Sequence, residues 1–93
     1  MAMEIEAARW LMYRAAWMYD QGMRRFNKAA MTKLFASEVA LRVTSDAMQI
    51  HGGIALMSDS LVQRYFRDSK RTTITEGASE IQEIVIARGL GLR

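Results

Sequence analysis

The sequence predicts an all-α protein, a bundle of helices, and three observations carry that expectation. Apolar residues recur at i, i+3 and i+4 through most of the chain. Its 93 residues contain no proline, where average usage would place roughly four or five. Six glycines are present, and most fall where the helical spacing breaks.

The first helix is expected from about Met3 to Asp20. Ala8, Leu11, Met12, Ala15 and Tyr19 follow the helical spacing, and Ala7, Trp10 and Trp17 widen the stripe. Gln21-Gly22-Met23 ends it, with Gly22 as a left-handed cap. Asn27 is read as the N-cap of a second helix running to about Gln49. Ala30, Leu34, Leu41 and Met48 share one side of it, while Phe35, Val39, Val43 and Ala47 fall on an adjacent side. A helix apolar over so wide an arc packs against neighbours on two sides, as the central member of a bundle does. His51-Gly52-Gly53 breaks the spacing and opens a loop. A shorter helix follows over about Ser60 to Ser69, with Leu61, Tyr65 and Phe66 as its apolar positions. Arg71 to Gly77 interrupts the pattern again, because Thr72, Thr73 and Thr75 are β-branched. The last helix spans about Ala78 to Arg88, with Ile81, Ile84, Val85 and Arg88 at helical spacing. Ser79 and Gln82 there have the spacing of a capping box. Gly89 and Gly91 release a short tail.

A chain of this length fits one domain or part of one. Half of it is hydrophobic (51%), including 8 Met and 2 Trp. So small a body either packs very economically or offers apolar surface to another domain or subunit. Without cysteine it has neither disulfides nor thiolate metal sites. The net charge of +3 is mild, and basic residues are interspersed with acidic ones rather than gathered on an arm. Nucleic-acid binding is therefore not expected. No apolar run reaches the roughly 20 residues of a membrane span. The opening Met1-Ala2-Met3-Glu4-Ile5-Glu6 lacks the basic and apolar regions of a secretory signal and reads as a start placed just before a helix.

Two loops carry the candidate chemistry. In Gln49-Ile50-His51-Gly52-Gly53 the paired glycines expose backbone N–H groups and admit close approach, which suits a phosphate; on spacing alone a helix C-cap followed by a turn is the favoured reading. In the second, Glu76 precedes Gly77 directly before the last helix. A carboxylate so placed serves as a general base, or simply as a partner for the helix dipole. His51 is the only histidine, and one imidazole makes no metal site; a loop hydrogen bond is its expected role. Trp10, Trp17 and the methionines read as core or interface packing. Arg64, Arg67, Lys70 and Arg71 read as a solvated or salt-bridged face, with binding of a phosphate group as the alternative.

Five segments in order resemble the acyl-CoA dehydrogenase family. Ala7 to Ala16 is similar to the family's "AARLLTYRAA" helix, and Ala29 to Ala40 to its "AMAKLFASEVA" segment. Gln49 to Gly53 is similar to "QIHGG", Arg64 to Asp68 to "RYYRD", and Ile74 to Gln82 to "IYEGTSEIQ". The resemblance covers nearly the whole chain and implies a partial C-terminal helical-bundle domain over residues 1–93. The family's N-terminal helical domain, its middle β-domain and the first helix of its C-terminal domain have no counterpart here.

The resemblance also implies an activity and its residues. Glu76 would be the base that removes the α-proton of an acyl-CoA while a β-hydride passes to FAD. Its N–H, with a flavin hydroxyl, would bind the thioester carbonyl. Gly77 would lie beside the substrate. Ala78, Ser79 and Glu80 match positions that touch the flavin, and Gln49, Ile50, His51, Gly52 and Gly53 match the loop that reaches the adenosine diphosphate part of a neighbouring subunit's flavin. A homotetramer or homodimer, an electron-transferring flavoprotein as acceptor, and the bacterial cytoplasm or mitochondrial matrix as compartment are implied in the same way. Some departures are visible: Thr75 stands where tyrosine is usual, Ala78 where threonine is usual, Ser60 where proline is common and Glu83 where arginine is frequent. The loss of the Ala78 hydroxyl weakens the flavin contact at that position. Two other readings share the fold. One is a non-catalytic helical module that assembles through its apolar faces; the other is an oxygen-using oxidase or monooxygenase.

Overall fold

The computed structural model describes residues 1–23 and 26–92, with Phe26 described by its backbone alone. Four α-helices follow in order: α1 (Ala2–Asp20), α2 (Phe26–His51), α3 (Leu61–Thr72) and α4 (Ser79–Gly89), with a 3-10 turn, Gly52–Leu56, between α2 and α3. No strand occurs among the described residues, and the all-α expectation holds. Among them, too, no helix is long and apolar enough to cross a membrane.

Helix α2 is the spine. The other three helices each pack on it and, among the described residues, none packs on another, so the bundle is open rather than closed. The wide apolar arc read along α2 has this cause: Ala30 and Val39 are buried, while Leu34, Phe35, Leu41, Val43, Ala47 and Met48 are half-buried on its several contact faces. Polar atoms within these contacts are satisfied. The buried Ser37 hydroxyl donates to the Leu34 carbonyl, and the Thr44 and buried Ser69 hydroxyls pair at 2.9 Å across α2 and α3. Thr32 Oγ1 donates to the Leu11 carbonyl, and Arg42 pairs with Glu4 at 3.0 Å, tying α2 to α1.

An open arrangement leaves much apolar surface outside. The accessible surface is 7070 Å² for 10.6 kDa, against about 5,500 Å² for a compact monomer of that mass. The radius of gyration, 15.4 Å, likewise exceeds the roughly 12 Å of a compact chain of this length. The excess area is about twice what one partner buries in a standard protein–protein interface.

Several sequence expectations are corrected by this openness. On α1 the side facing α2 is Ala8, Leu11, Ala15 and Met18, whereas Met12 and Tyr19 are exposed. Trp10 and Trp17 are 63% and 58% exposed, so core packing does not explain them. On α3 the inward positions are Val62, Phe66 and Ser69, while Leu61 and Tyr65 point outward. On α4 they are Gln82, Val85 and Ile86, and Ile81 and Ile84 are exposed.

The helix ends differ in detail as well. Gly22 has φ +80 and closes α1 as expected. Asn27 is not an N-cap: α2 already includes Phe26, and the Asn27 side chain occupies the space a Cβ on Gly89 would need. Gly89 therefore lets α4 approach the first turn of α2. Helix α3 continues past Ser69 to Thr72, because the Thr72, Thr73 and Thr75 hydroxyls bond carbonyls of its own last turns rather than breaking it. The N-cap of α4 is Ala78, with extended geometry (φ −60, ψ 161) and no side-chain cap bond. Ser79 lies inside the helix, so the Ser79–Gln82 capping box does not form. Ala78→Thr is expected to stabilise the protein by about 0.5–1 kcal/mol by supplying that cap, read as a higher midpoint in urea at unchanged slope.

Candidate functional site

The segment between α3 and α4 is a tight loop with a strained centre. Its ends are drawn together where Ser79 N–H and Oγ both donate to the Thr73 carbonyl, at 3.1 and 3.4 Å. At the tip, Glu76 has φ +56 and Gly77 φ +91. Gly77 suits that region, but the glutamate costs about 1–2 kcal/mol there. A Cβ on Gly77 would also run into the Gln82 amide. Two side chains hold the tip: Lys33 Nζ donates to the Gly77 carbonyl at 2.7 Å, and Gln82 Nε2 donates to the Glu76 and Gly77 carbonyls, each at 3.2 Å.

The outcome is an exposed carboxylate on a loop whose tip carbonyls are directed to protein donors. The Glu76 carboxylate forms no hydrogen bond or ion pair with the described residues. The N–H groups of Glu76, Gly77 and Ala78 find no acceptor among them either. A base and several free amide donors thus share one exposed turn, the combination needed to take a proton and to meet the negative charge that results. Beside them, Ala78 offers only its backbone, and Ser79 is half-buried with its hydroxyl engaged. Glu80 is exposed in the first turn of α4, where the helix dipole favours a carboxylate.

The second candidate segment is mostly helical rather than a loop. Gln49, Ile50 and His51 form the last turn of α2, and Gly52, with φ +71, turns the chain into the 3-10 segment. Gln49 and Ile50 are exposed. His51 Nδ1 lies 2.8 Å from the Ala47 carbonyl; since a carbonyl only accepts, Nδ1 carries the proton of that hydrogen bond. The hydrogen bond expected of His51 is therefore made within its own helix. The buried Ala55 anchors the turn, and a cleft of about 480 Å³ opens beside it, lined among others by Met48, Gln49, Gly52, Gly53, Leu56 and Phe66. Nothing lies within 4 Å of a Cβ built on Gly52 or Gly53. Another molecule can therefore approach this backbone closely.

The two segments lie far apart. Lys33, which holds the Glu76 tip, and His51 are separated by about 27 Å along α2, at 1.5 Å per residue. One copy of the chain therefore presents its two candidate segments well apart along α2. Arg64, Arg67, Lys70 and Arg71 lie along α3, where Arg67 bonds Gln63 and Arg64 sits 4.0 Å from Asp68, a largely solvated face. Sequence reasoning missed Lys33 and gave Gln82 a different role, as a capping-box partner. The only available signal for either was a polar residue at an inward position of its helix.

Known proteins share this fold. Residues 1–91 match the family described as acyl-CoA dehydrogenase, C-terminal domain. The chain is similar to cyclohexane-1-carbonyl-CoA dehydrogenase of Geobacter metallireducens, with 56% identity over 87 residues that cover 94% of this chain and 23% of that protein. It superposes on butyryl-CoA dehydrogenase from Megasphaera elsdenii with a TM-score of 0.93 at 44% identity, covering 96% of this chain and 23% of that one. The FAD complex of PigA gives a TM-score of 0.94 at 37% identity, covering 99% and 24%. The chain thus spans about a quarter of the length of the relatives it matches. With the fold, the order of its segments and the match over 1–91 in agreement, the chain belongs to the acyl-CoA dehydrogenase family, as its C-terminal domain.

Proposed function

We propose that this chain is part of the C-terminal domain of a flavin-dependent acyl-CoA dehydrogenase, with Glu76 as the base that takes the α-proton of an acyl-CoA thioester. The observation that carries the reading is Glu76 itself: an exposed carboxylate held in a left-handed backbone conformation that costs a non-glycine residue free energy. A residue chosen only to turn the chain would be glycine.

In this reading the free N–H of Glu76 donates to the thioester carbonyl and stabilises the charge that develops as the proton leaves. Gly77 lies beside the acyl group. FAD, when bound, supplies the acceptor for the β-hydride. Ala78, Ser79 and Glu80 border it, with Ala78 and Ser79 contributing mainly backbone. Gln49 to Gly53 hold the adenosine diphosphate part of the flavin of a neighbouring subunit, and the distance between the two segments along α2 supports assignment to different subunits. The domain is accordingly a homodimer or homotetramer component, with an electron-transferring flavoprotein as the electron acceptor.

The exposed apolar faces favour assembly and also support a second reading, a non-catalytic helical module. Activity separates the two: the full-length protein loaded with FAD should reduce an artificial electron acceptor when given acyl-CoAs. The isolated 93-residue chain should not turn over, because it presents the base and a neighbour-facing segment without walls for the substrate. Sustained dye reduction by the isolated chain would overturn that expectation.

A further inference from the structure

We propose that Lys33 is a positioning residue for Glu76, acting with Gln82 to turn the carbonyls of the 76–77 tip inward and its amide donors outward. The inference rests on Glu76 being the base and assigns to that site a residue on another helix.

The peptide geometry carries the argument. In a trans peptide the C=O and the following N–H point in opposite directions. Gln82 Nε2 holds the Glu76 carbonyl, which sends the Gly77 N–H away from α4. Lys33 Nζ and Gln82 Nε2 together hold the Gly77 carbonyl, which sends the Ala78 N–H away from α2. Both N–H groups lack an acceptor among the described residues. The same bonds lock the consecutive positive φ values of Glu76 and Gly77. Without them the glutamate would relax toward an ordinary conformation, and its carboxylate would move with the backbone.

The Lys33 side chain makes one hydrogen bond among the described residues, to the Gly77 carbonyl. It forms none of the ion pairs found among the described residues. Its ammonium sits just ahead of the N-terminus of α4, the end at which a helix dipole disfavours a cation. The bond it makes is charge-assisted, short and drawn from a helix 44 residues earlier in the chain. Gln82 belongs to the helix that the loop leads into, so it travels with the loop. Lys33 references the tip to the central helix instead.

The test is Lys33→Met in the full-length protein loaded with FAD, with Lys33→Arg and Lys33→Gln alongside. The expected result is a fall in kcat of about 10- to 100-fold, the scale of a misplacement near 1 Å, with KM changed less than about threefold. The melting temperature should move by no more than about 3 °C, and bound flavin should be retained. Amide hydrogen exchange over residues 73–79, measured without substrate, should quicken in Lys33→Met and return toward the original rate in Lys33→Arg. Unchanged kcat and unchanged exchange in Lys33→Met would overturn the proposal. So would equal losses in all three variants accompanied by a large fall in melting temperature, which would make Lys33 a structural prop. Failure of the base assignment is separable: it would show as activity surviving Glu76→Gln, while the exchange measurement would still report on the tip.

Discussion

Glu76→Gln in the full-length protein is expected to lower kcat by about 10²- to 10⁴-fold, the range a positioned general base supplies, while leaving the fold and the bound flavin unchanged. Glutamine has nearly the same shape and carries the same cost at φ +56, so the loop has no new reason to move. The glutamate side chain is exposed and makes no bond to the described residues, so its replacement leaves no partner unpaired. What is lost is the ability to accept a proton. Steady-state rates with an acyl-CoA and an artificial electron acceptor read the loss, and the melting temperature and flavin spectrum provide the controls. A Glu76→Gln protein with its original kcat would remove Glu76 from the chemistry and favour a non-catalytic assembly module.

Gly89→Ala is expected to destabilise the protein by about 1–3 kcal/mol, the cost of forcing a methyl into a packed contact. The added Cβ would overlap Asn27 Cβ and Cγ. The Asn27 Cβ is fixed to the backbone in the first turn of α2, so it cannot swing aside as the end of a long side chain would. Relief requires α4 to move away from α2, and among the described residues α2 is the only helix it packs against. The loop holding Glu76 enters α4 directly, so the same shift should also disturb the site. Denaturant unfolding of the variant measures the loss. Gly53→Ala is the control: Gly53 lacks a positive φ and has no neighbour within 4 Å of an added Cβ. It should be neutral or slightly stabilising, yet should weaken flavin retention if close backbone approach matters there. Equal stability of Gly89→Ala and Gly53→Ala would show that α4 does not depend on contact at Asn27.

The periodic spacing of apolar residues and the glycine breaks make the helices legible in the sequence, and the order of motif-like segments makes the family and the candidate residues legible with them. Such features are local: spacing of 3 and 4, turn residues and cap residues act over one or two turns, and one chain segment contains all of them. The position of Glu76 ahead of the last helix belongs to this class. Its left-handed backbone does not, because a glutamate gives no sign of that conformation.

Tertiary structure alone decided which apolar residues turn inward. Leu61, Tyr65, Ile81 and Ile84 sit at helical spacing as Phe66 and Val85 do, but among the described residues α2 is the one α-helix that α3 and α4 each touch, and a single contact covers only part of a wide apolar arc. The pairing of Gly89 with Asn27 and the bond from Lys33 to the Gly77 carbonyl join residues 62 and 44 positions apart, and no local pattern encodes contacts at that range. The sequence by itself determined the helices and the chemical groups at their ends. Packing around α2 determined how those groups are aimed, because direction at a site depends on which distant donors reach its backbone.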